Sequence, residues 1–509
     1  MTSPPSTAPL PPSPTATAHG GRSFGSDIHR VLLHPFTAYL AATTAAVVVL
    51  FARAPRPYVV PQLFAEDGMW SSLVHTRGFL HAAFHGRPES DYTILGNILL
   101  LEAAKAWCHL VHGGDPLEYA RSCALVSYVF VAAVVSLPVL LLRHRLPPPF
   151  LAALWLAGCV LPLGIHDRTF SGFEILGRVS NAGFVCLYAA FLLVWHRTTA
   201  APRGARLAAV DLGLLACITT NPICAAVLPA AVWPQARAVW RGRRTAADVA
   251  RDPAVVGLVL LAAAAAGLCG LPNPWKIRPR EPVPPLDVAG IVEIALARST
   301  LYPVLWPMYR HLGTGLVLAA TVLVVALVAR VSTPHRRMVY LGGGALLALV
   351  AAVLVVFRPE LGTHLRGYDG TFPDRYFHGQ NLVGVALLVT LAADVSRRAL
   401  HRRWLRHVPL ALVAAWIVAA VLHEPPWRLA PSQTLRPEGR LFALRAARAV
   451  TAGSFVDERF APDPDGRFVL IPNPEGTPKK FVFPREPLIR ALAARGYAVA
   501  GAANPRLPR

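Results

Sequence analysis

Acidic side chains are scarce in this chain. Asp and Glu together number 28 against 50 Lys and Arg, and charged residues of both signs make up only 15% of the 509 residues. A soluble domain would carry about 25%, so a large water-soluble globule is excluded. The 7 cysteines show no C-x-x-C pair or other metal-ligand spacing, which leaves them as small buried hydrophobes. Period-two alternation is absent from the apolar stretches, which excludes a membrane β-barrel. No cleavable signal peptide is expected, because residues 1–23 are rich in Pro, Ser and Thr and have no apolar run. The whole of 1–30 reads as a disordered cytoplasmic tail.

What is present is long apolar sequence. Hydrophobic residues make up 54% of the chain and the mean hydropathy is +0.44. Runs rich in Ala, Leu and Val reach the roughly 18–20 residues that span a bilayer as a helix. The fold class expected is an all-α polytopic membrane protein. About eleven spans are predicted, over 34–52, 119–142, 150–165, 182–195, 207–219, 222–234, 253–271, 313–330, 338–357, 378–394 and 408–422. The net charge of +22 could suggest nucleic acid, but its placement excludes that partner. Arg143 to Arg145, Arg237 to Arg244, Arg336-Arg337 and Arg397 to Arg406 all sit in short turns between apolar runs. This is the positive-inside pattern, and it predicts contact with anionic lipid headgroups. The N-terminus is then cytoplasmic in a cell membrane, and the C-terminus extracytoplasmic.

One stretch is ambiguous. Residues 92–111 contain Glu102 and Lys105, each costing about 2.5–3.5 kcal/mol at a bilayer centre. An amphipathic helix on the outer interface is preferred to a further span. Between 207–219 and 222–234 stands "TTNP", where Pro222 ends one helix and Asn221 caps the next. The outer side then holds loops at 53–118, 166–181, 272–312 and 358–377. It also holds the 423–509 tail, whose "RFVLIP" and "KKFVFP" read as strands of a small α+β appendage docked on those loops. The transmembrane domain is 31–422.

The outer loops gather the chemistry. "LFAEDGMW" (63–70) places Glu66 and Asp67 side by side among aromatic residues. Burial there raises the pKa of at least one and suits it to act as a general base. Acidic residues in a helix's first turn also complement its dipole, and "EDGMWSSL" opens such a helix equally well. Gly68 is expected to turn the backbone so that Asp67 points inward, with Phe64 and Trp70 anchoring the loop in the interface. "GYDGTFPDRYF" sets Arg375 and Tyr376 at the mouth of a late span, where Arg binds phosphate bidentately and the phenol adds a donor. A snorkelling Arg with an interfacial aromatic explains the same pattern. The loop 166–181 adds His166, Arg168, Arg178 and Asn181. Asp91 lies in the first outer loop and completes the candidate cavity.

In order, "FAEDG" (64–68), the amphipathic stretch 92–111, "YARS" (119–122) and "LLRHR" (141–145) resemble the GT-C class of membrane glycosyltransferases, which use polyprenyl-phosphate-linked sugars. The chain is similar in particular to bacterial membrane proteins with an A-E-D-G loop, a later S-N-x-x-aromatic (here Ser180 to Phe184) and a D-R-Y-F (Asp374 to Phe377). The resemblance implies that Asp67 or Glu66 deprotonates the acceptor and that Arg375 holds the donor phosphate. "HGQN" follows Phe377 in place of an expected Pro-rich turn, a departure that touches the donor site. The resemblance also implies a divalent cation near the acidic motif in some members; no oxygen-ligand spacing for one is readable here, and no other cofactor is expected. The partners implied are a polyprenyl-phosphate sugar lipid and an extracytoplasmic glycan, lipid or protein acceptor. Two other readings fit the same frame: a lipid-linked sugar flippase or transporter, and a non-catalytic protein of envelope polysaccharide assembly.

Overall fold

The computed structural model describes residues 34–59, 65–85, 94–161, 175–269, 294–305, 314–357, 375–398, 405–423, 446–451, 467–472 and 480–497, with the single residues 61, 63, 292 and 499. The predicted N-terminal tail, Asp91, His166 and Arg168 lie outside them.

Helices dominate. In chain order they are α1 (Pro35–Arg53), α2 (Ala65–His85), α3 (Leu95–His112), α4 (Tyr119–Leu141), α5 (Pro148–Val160), α6 (Cys186–Ala200), α7 (Ala205–Thr220), α8 (Leu228–Trp240), α9 (Pro253–Cys269), α10 (Thr314–Val331), α11 (Pro334–Phe357), α12 (Arg375–Arg398) and α13 (Val408–His423). A short helix, Val179–Ala182, and a 3₁₀ turn, Gly183–Val185, lead into α6. Prolines open α1, α5 and α9, where a first-turn residue needs no amide donor. Gly113 closes α3 in the left-handed conformation, and the Gly114 N–H donates back to Cys108 O at 3.1 Å. At "TTNP" the Asn221 side chain accepts from Ile223 N at 3.3 Å and so caps the turn after α7.

Among the described residues five helical stretches are long and apolar enough to cross a membrane: Pro35–Arg53, Tyr119–Leu141, Val179–Ala200, Arg336–Leu354 and Tyr376–Arg398. Their neighbours turn large apolar side chains outward, among them Leu212, Leu260, Val322, Leu341 and Leu412. In water such a surface would aggregate; against lipid it is the stable arrangement. The chain is a helical membrane protein. α12 stands at the centre, packed on α5, α6, α10, α11 and α13. α3 is not among the five. It buries one stripe, Asn97, Ile98, Leu101, Ala104 and Cys108, and leaves Leu99, Trp107 and Leu110 exposed beside the Glu102–Lys105 pair.

The basic turns meet at one end of the bundle. Arg145 O accepts from Arg336 at 2.6 Å and from Arg397 at 2.9 Å. Asp394 faces both arginines and accepts from the Tyr340 hydroxyl at 2.9 Å. Since α4 and α12 both finish at this end, Tyr119 and Phe377 near their starts mark the other.

At that other end lies a second core. It joins Trp70, Leu73 and Val74 of α2, Ile98 and Leu101 of α3 and the start of α4 to the C-terminal segment. Strands β1 (Phe468–Pro472) and β2 (Lys480–Pro484) form an antiparallel hairpin that pairs Leu470 with Val482, followed by α14 (Arg485–Ala494). β2 lies on α2, where Ser72 Oγ accepts from Val482 N at 2.8 Å and donates to Gly68 O at 2.7 Å. Phe483 stacks near His75 and Tyr119, at 4.8 and 5.8 Å between ring centres. Arg495 pairs with Asp115 and Glu118 ahead of α4.

Three sequence expectations change here. Gly68 makes no turn but sits within α2, whose only non-helical residue is Gly78. Trp70 is 4% exposed in the second core, so it packs against protein and anchors nothing in lipid; Phe64 lies outside the described residues. The stretch 272–312 was read as a loop, yet Ile294–Leu301 is a π-helix packed on α10, α11 and α12. Its Arg298, Ser299 and Thr300 break the apolar run that marks a span in sequence.

Candidate functional site

Asp67 lies in the first turn of α2, with its side chain 1% exposed. Its Oδ1 accepts two hydrogen bonds from one residue, Ser180: the backbone N–H at 2.7 Å and the hydroxyl at 2.6 Å. Two motifs 113 residues apart in the chain are thereby one site. The carboxylate caps the short helix Val179–Ala182, where exposed amides and the helix dipole favour negative charge.

The segment that Asp67 grips is held on every side. Asn97 Nδ2 donates to Ser180 O at 3.1 Å, Ser127 Oγ to Arg178 O at 3.2 Å, and Asn221 Nδ2 to Gly183 O at 3.5 Å. Gly177 enters it with a φ of 76°, and a Cβ there would stand 2.4 Å from Pro57 Cβ, so glycine is required twice over. Arg178 and Asn181 are buried, at 7% and 2% exposure. Arg178 is the residue that precedes the short helix Val179–Ala182, two positions before Ser180.

The third motif joins through aromatic and backbone contact. The Phe184 and Tyr376 rings meet edge to face at 5.2 Å. α12 approaches so closely that a Cβ on Gly379 would lie 2.2 Å from Phe184 O. Asp67 and Tyr376 are thus linked through one segment, Asp67 by its bonds to Ser180 and Tyr376 by its contact with Phe184. The Glu66 and Arg375 side chains lie outside the described residues, and only the backbone of Arg375 is placed, as the first residue of α12.

Sequence reasoning missed a cluster on the next face of α12. Arg298 of the π-helix is 1% exposed, with its guanidinium 5.1 Å from the centre of the Phe377 ring. Gln380 donates from Nε2 to Tyr376 O at 3.0 Å. Gln380 Oε1, Asn381 Oδ1 and Ser299 Oγ are buried without a hydrogen-bond partner among the described residues. Gln380 and Asn381 belong to "HGQN", which the sequence showed only as a departure from the family pattern. Arg298 was hidden because "IALARSTL" has neither the length nor the apolarity of a span.

At the second core, burial pushes the His75 imidazole down to about 3, and the Lys105 and His109 charges push it further the same way. His75 is therefore neutral and packed as an aromatic between Tyr119 and Phe483. Among the described residues no three His, Cys, Asp or Glu side chains are arranged to hold a metal ion. The described cysteines are free and buried. No family model, curated protein or solved structure matches this chain.

Proposed function

We propose that the protein is a membrane glycosyltransferase that moves a sugar from a polyprenyl-phosphate donor to an acceptor on the extracytoplasmic side. One observation carries the reading: a buried carboxylate, Asp67, is gripped by Ser180 beside Arg178, at the end of the bundle away from the basic turns. A lipid-linked donor keeps its phosphate at the membrane boundary, where a transferase needs its base and its positive charge.

In the step proposed, the acceptor hydroxyl gives its proton to the Asp67–Glu66 pair as its oxygen bonds to the sugar's anomeric carbon. The bond from that carbon to the phosphate oxygen breaks, and the polyprenyl phosphate leaves as an anion beside Arg375, Tyr376 and Arg178. A base must carry a free carboxylate, and Asp67 is the buried carboxylate proposed for that role. Positive charge at the leaving phosphate stabilises the developing negative charge.

Asp67→Asn is a clean test, because an amide oxygen still accepts both Ser180 bonds while the charge is gone. Turnover of polyprenyl-phosphoryl hexoses and pentoses by the purified full chain, with envelope fractions as acceptor, is expected to fall about 10²–10⁴-fold, with a smaller loss of melting temperature than Asp67→Ala shows. Full turnover in this variant would leave Asp67 a structural cap. The buried Arg298 on a π-helix favours a second reading, a transporter of the same lipid, since buried charge and broken helices mark transport paths. Liposome translocation that survives Asp67→Asn would select it.

A further inference from the structure

We infer that the seam between the π-helix Ile294–Leu301 and the head of α12 recognises the sugar of a glycosyl phosphate, with Ser299 Oγ, Gln380 Oε1 and Asn381 Oδ1 receiving ring hydroxyls. The inference rests on the transferase reading for its lipid source, and on the seam itself for its chemistry.

The geometry starts from helical periodicity. Phe377, Gln380, Asn381 and Gly384 fall on one face of α12. Both ends of that face touch the π-helix: Arg298 lies over Phe377, and a Cβ on Gly384 would stand 3.0 Å from Thr300 O and 3.4 Å from Ser299 O. Gln380 and Asn381 lie between these two contacts, at 0% and 2% exposure, and Ser299 is at 0%. Their three oxygens are the ones that find no donor among the described residues.

A buried acceptor left unpaired costs about 1–3 kcal/mol, and native proteins seldom leave several together without a use. Long π-helical turns are likewise rare and concentrate at functional sites. The unpaired groups define the ligand. Two amide oxygens repel an anion but accept from hydroxyls, and a serine hydroxyl does either. The Gln380 amide is oriented by its own bond to Tyr376 O, so its oxygen is the atom left over. A polyol matches that set, and the donor of the transferase reading presents one as the sugar of its glycosyl phosphate.

The test uses the purified full chain in nanodiscs and four probes: polyprenyl phosphate, its hexose-bearing and pentose-bearing forms, and hexose 1-phosphate. The expected result is that a sugar-bearing lipid binds at least about tenfold tighter than bare polyprenyl phosphate. Gln380→Leu and Asn381→Leu should erase that preference while bare-lipid binding stays. Without ligand Asn381→Leu should melt at or above the wild type, because it removes an unpaired acceptor; a purely structural role for this amide would lower it. If only hexose 1-phosphate binds, with the same loss in the variants, the sugar site stands and the lipid-donor reading falls. If no sugar-bearing probe is preferred, or the variants keep the preference, the inference is overturned. Should both leucine variants fail to purify, Ser299→Ala removes a single oxygen and decides by the same ratio.

Discussion

Asp67 caps the 179–182 turn and, in the transferase proposed, also takes the acceptor proton; the two roles separate by mutation. Its bonds to Ser180 are charge-assisted, a class worth about 1.5–3 kcal/mol each. Asp67→Ala removes both and leaves the Ser180 donors buried, so a loss of about 2–4 kcal/mol is expected in detergent melting. Ser180→Ala should lose less, since its backbone N–H still reaches Oδ1. A melt of Asp67→Ala equal to wild type would mean that the cap contributes nothing. His75 supplies the pH dependence. Its imidazole is held down at about 3 by burial, against an ordinary value of 6.5. As pH falls below 6.5 the unfolded chain takes up the proton first, so the stability His75 contributes is complete above 6.5 and declines toward 3. The docked hairpin should loosen over that window. Hydrogen exchange at Val482, whose N–H bonds to Ser72 one turn from His75, should quicken on acidification, and His75→Phe should flatten the response.

The elements divide by how their signal is carried. The apolar helices are written in composition: long Ala, Leu and Val runs with prolines at their openings need no partner to be recognised. The hairpin strands in "RFVLIP" and "KKFVFP" are likewise local. The π-helix is different. It holds Arg298, Ser299 and Thr300 in the bundle because α12 offers Phe377 and a glycine face to receive them, and no periodicity within 294–301 announces that. Close helix approach is also a pairwise property. Gly379 lets α12 lie on the Phe184 carbonyl, so Gly379→Ala must push α12 away from the 183–187 turn. An overpacking cost of about 1–3 kcal/mol is expected. The Phe184–Tyr376 contact should open as well, read as a lower melting temperature together with reduced donor turnover. Gly315→Ala, where an added Cβ meets nothing within 4 Å, is the control.

For the whole molecule, sidedness is the property that the transferase reading depends on. The basic turns at Arg145, Arg336 and Arg397 share one end of the bundle, and the Asp67–Ser180 site and the docked hairpin share the other. The charge rule puts the basic end in the cytoplasm. Single cysteines at the exposed positions Trp240 and Glu486 should therefore label from opposite sides, 240 from within and 486 from outside. Labelling of both from one side would break the link between charge and site. By itself the sequence determined the class of molecule, the helices, the basic turns and the short motifs around Asp67, Ser180 and Tyr376, because these follow from local composition and spacing. Only the tertiary structure decided that Asp67 grips Ser180, that Gly68 is helical, that Trp70 faces protein and that Arg298 meets the head of α12. Each of those is a contact between residues far apart in the chain, and its energy exists only once the two surfaces have been brought together.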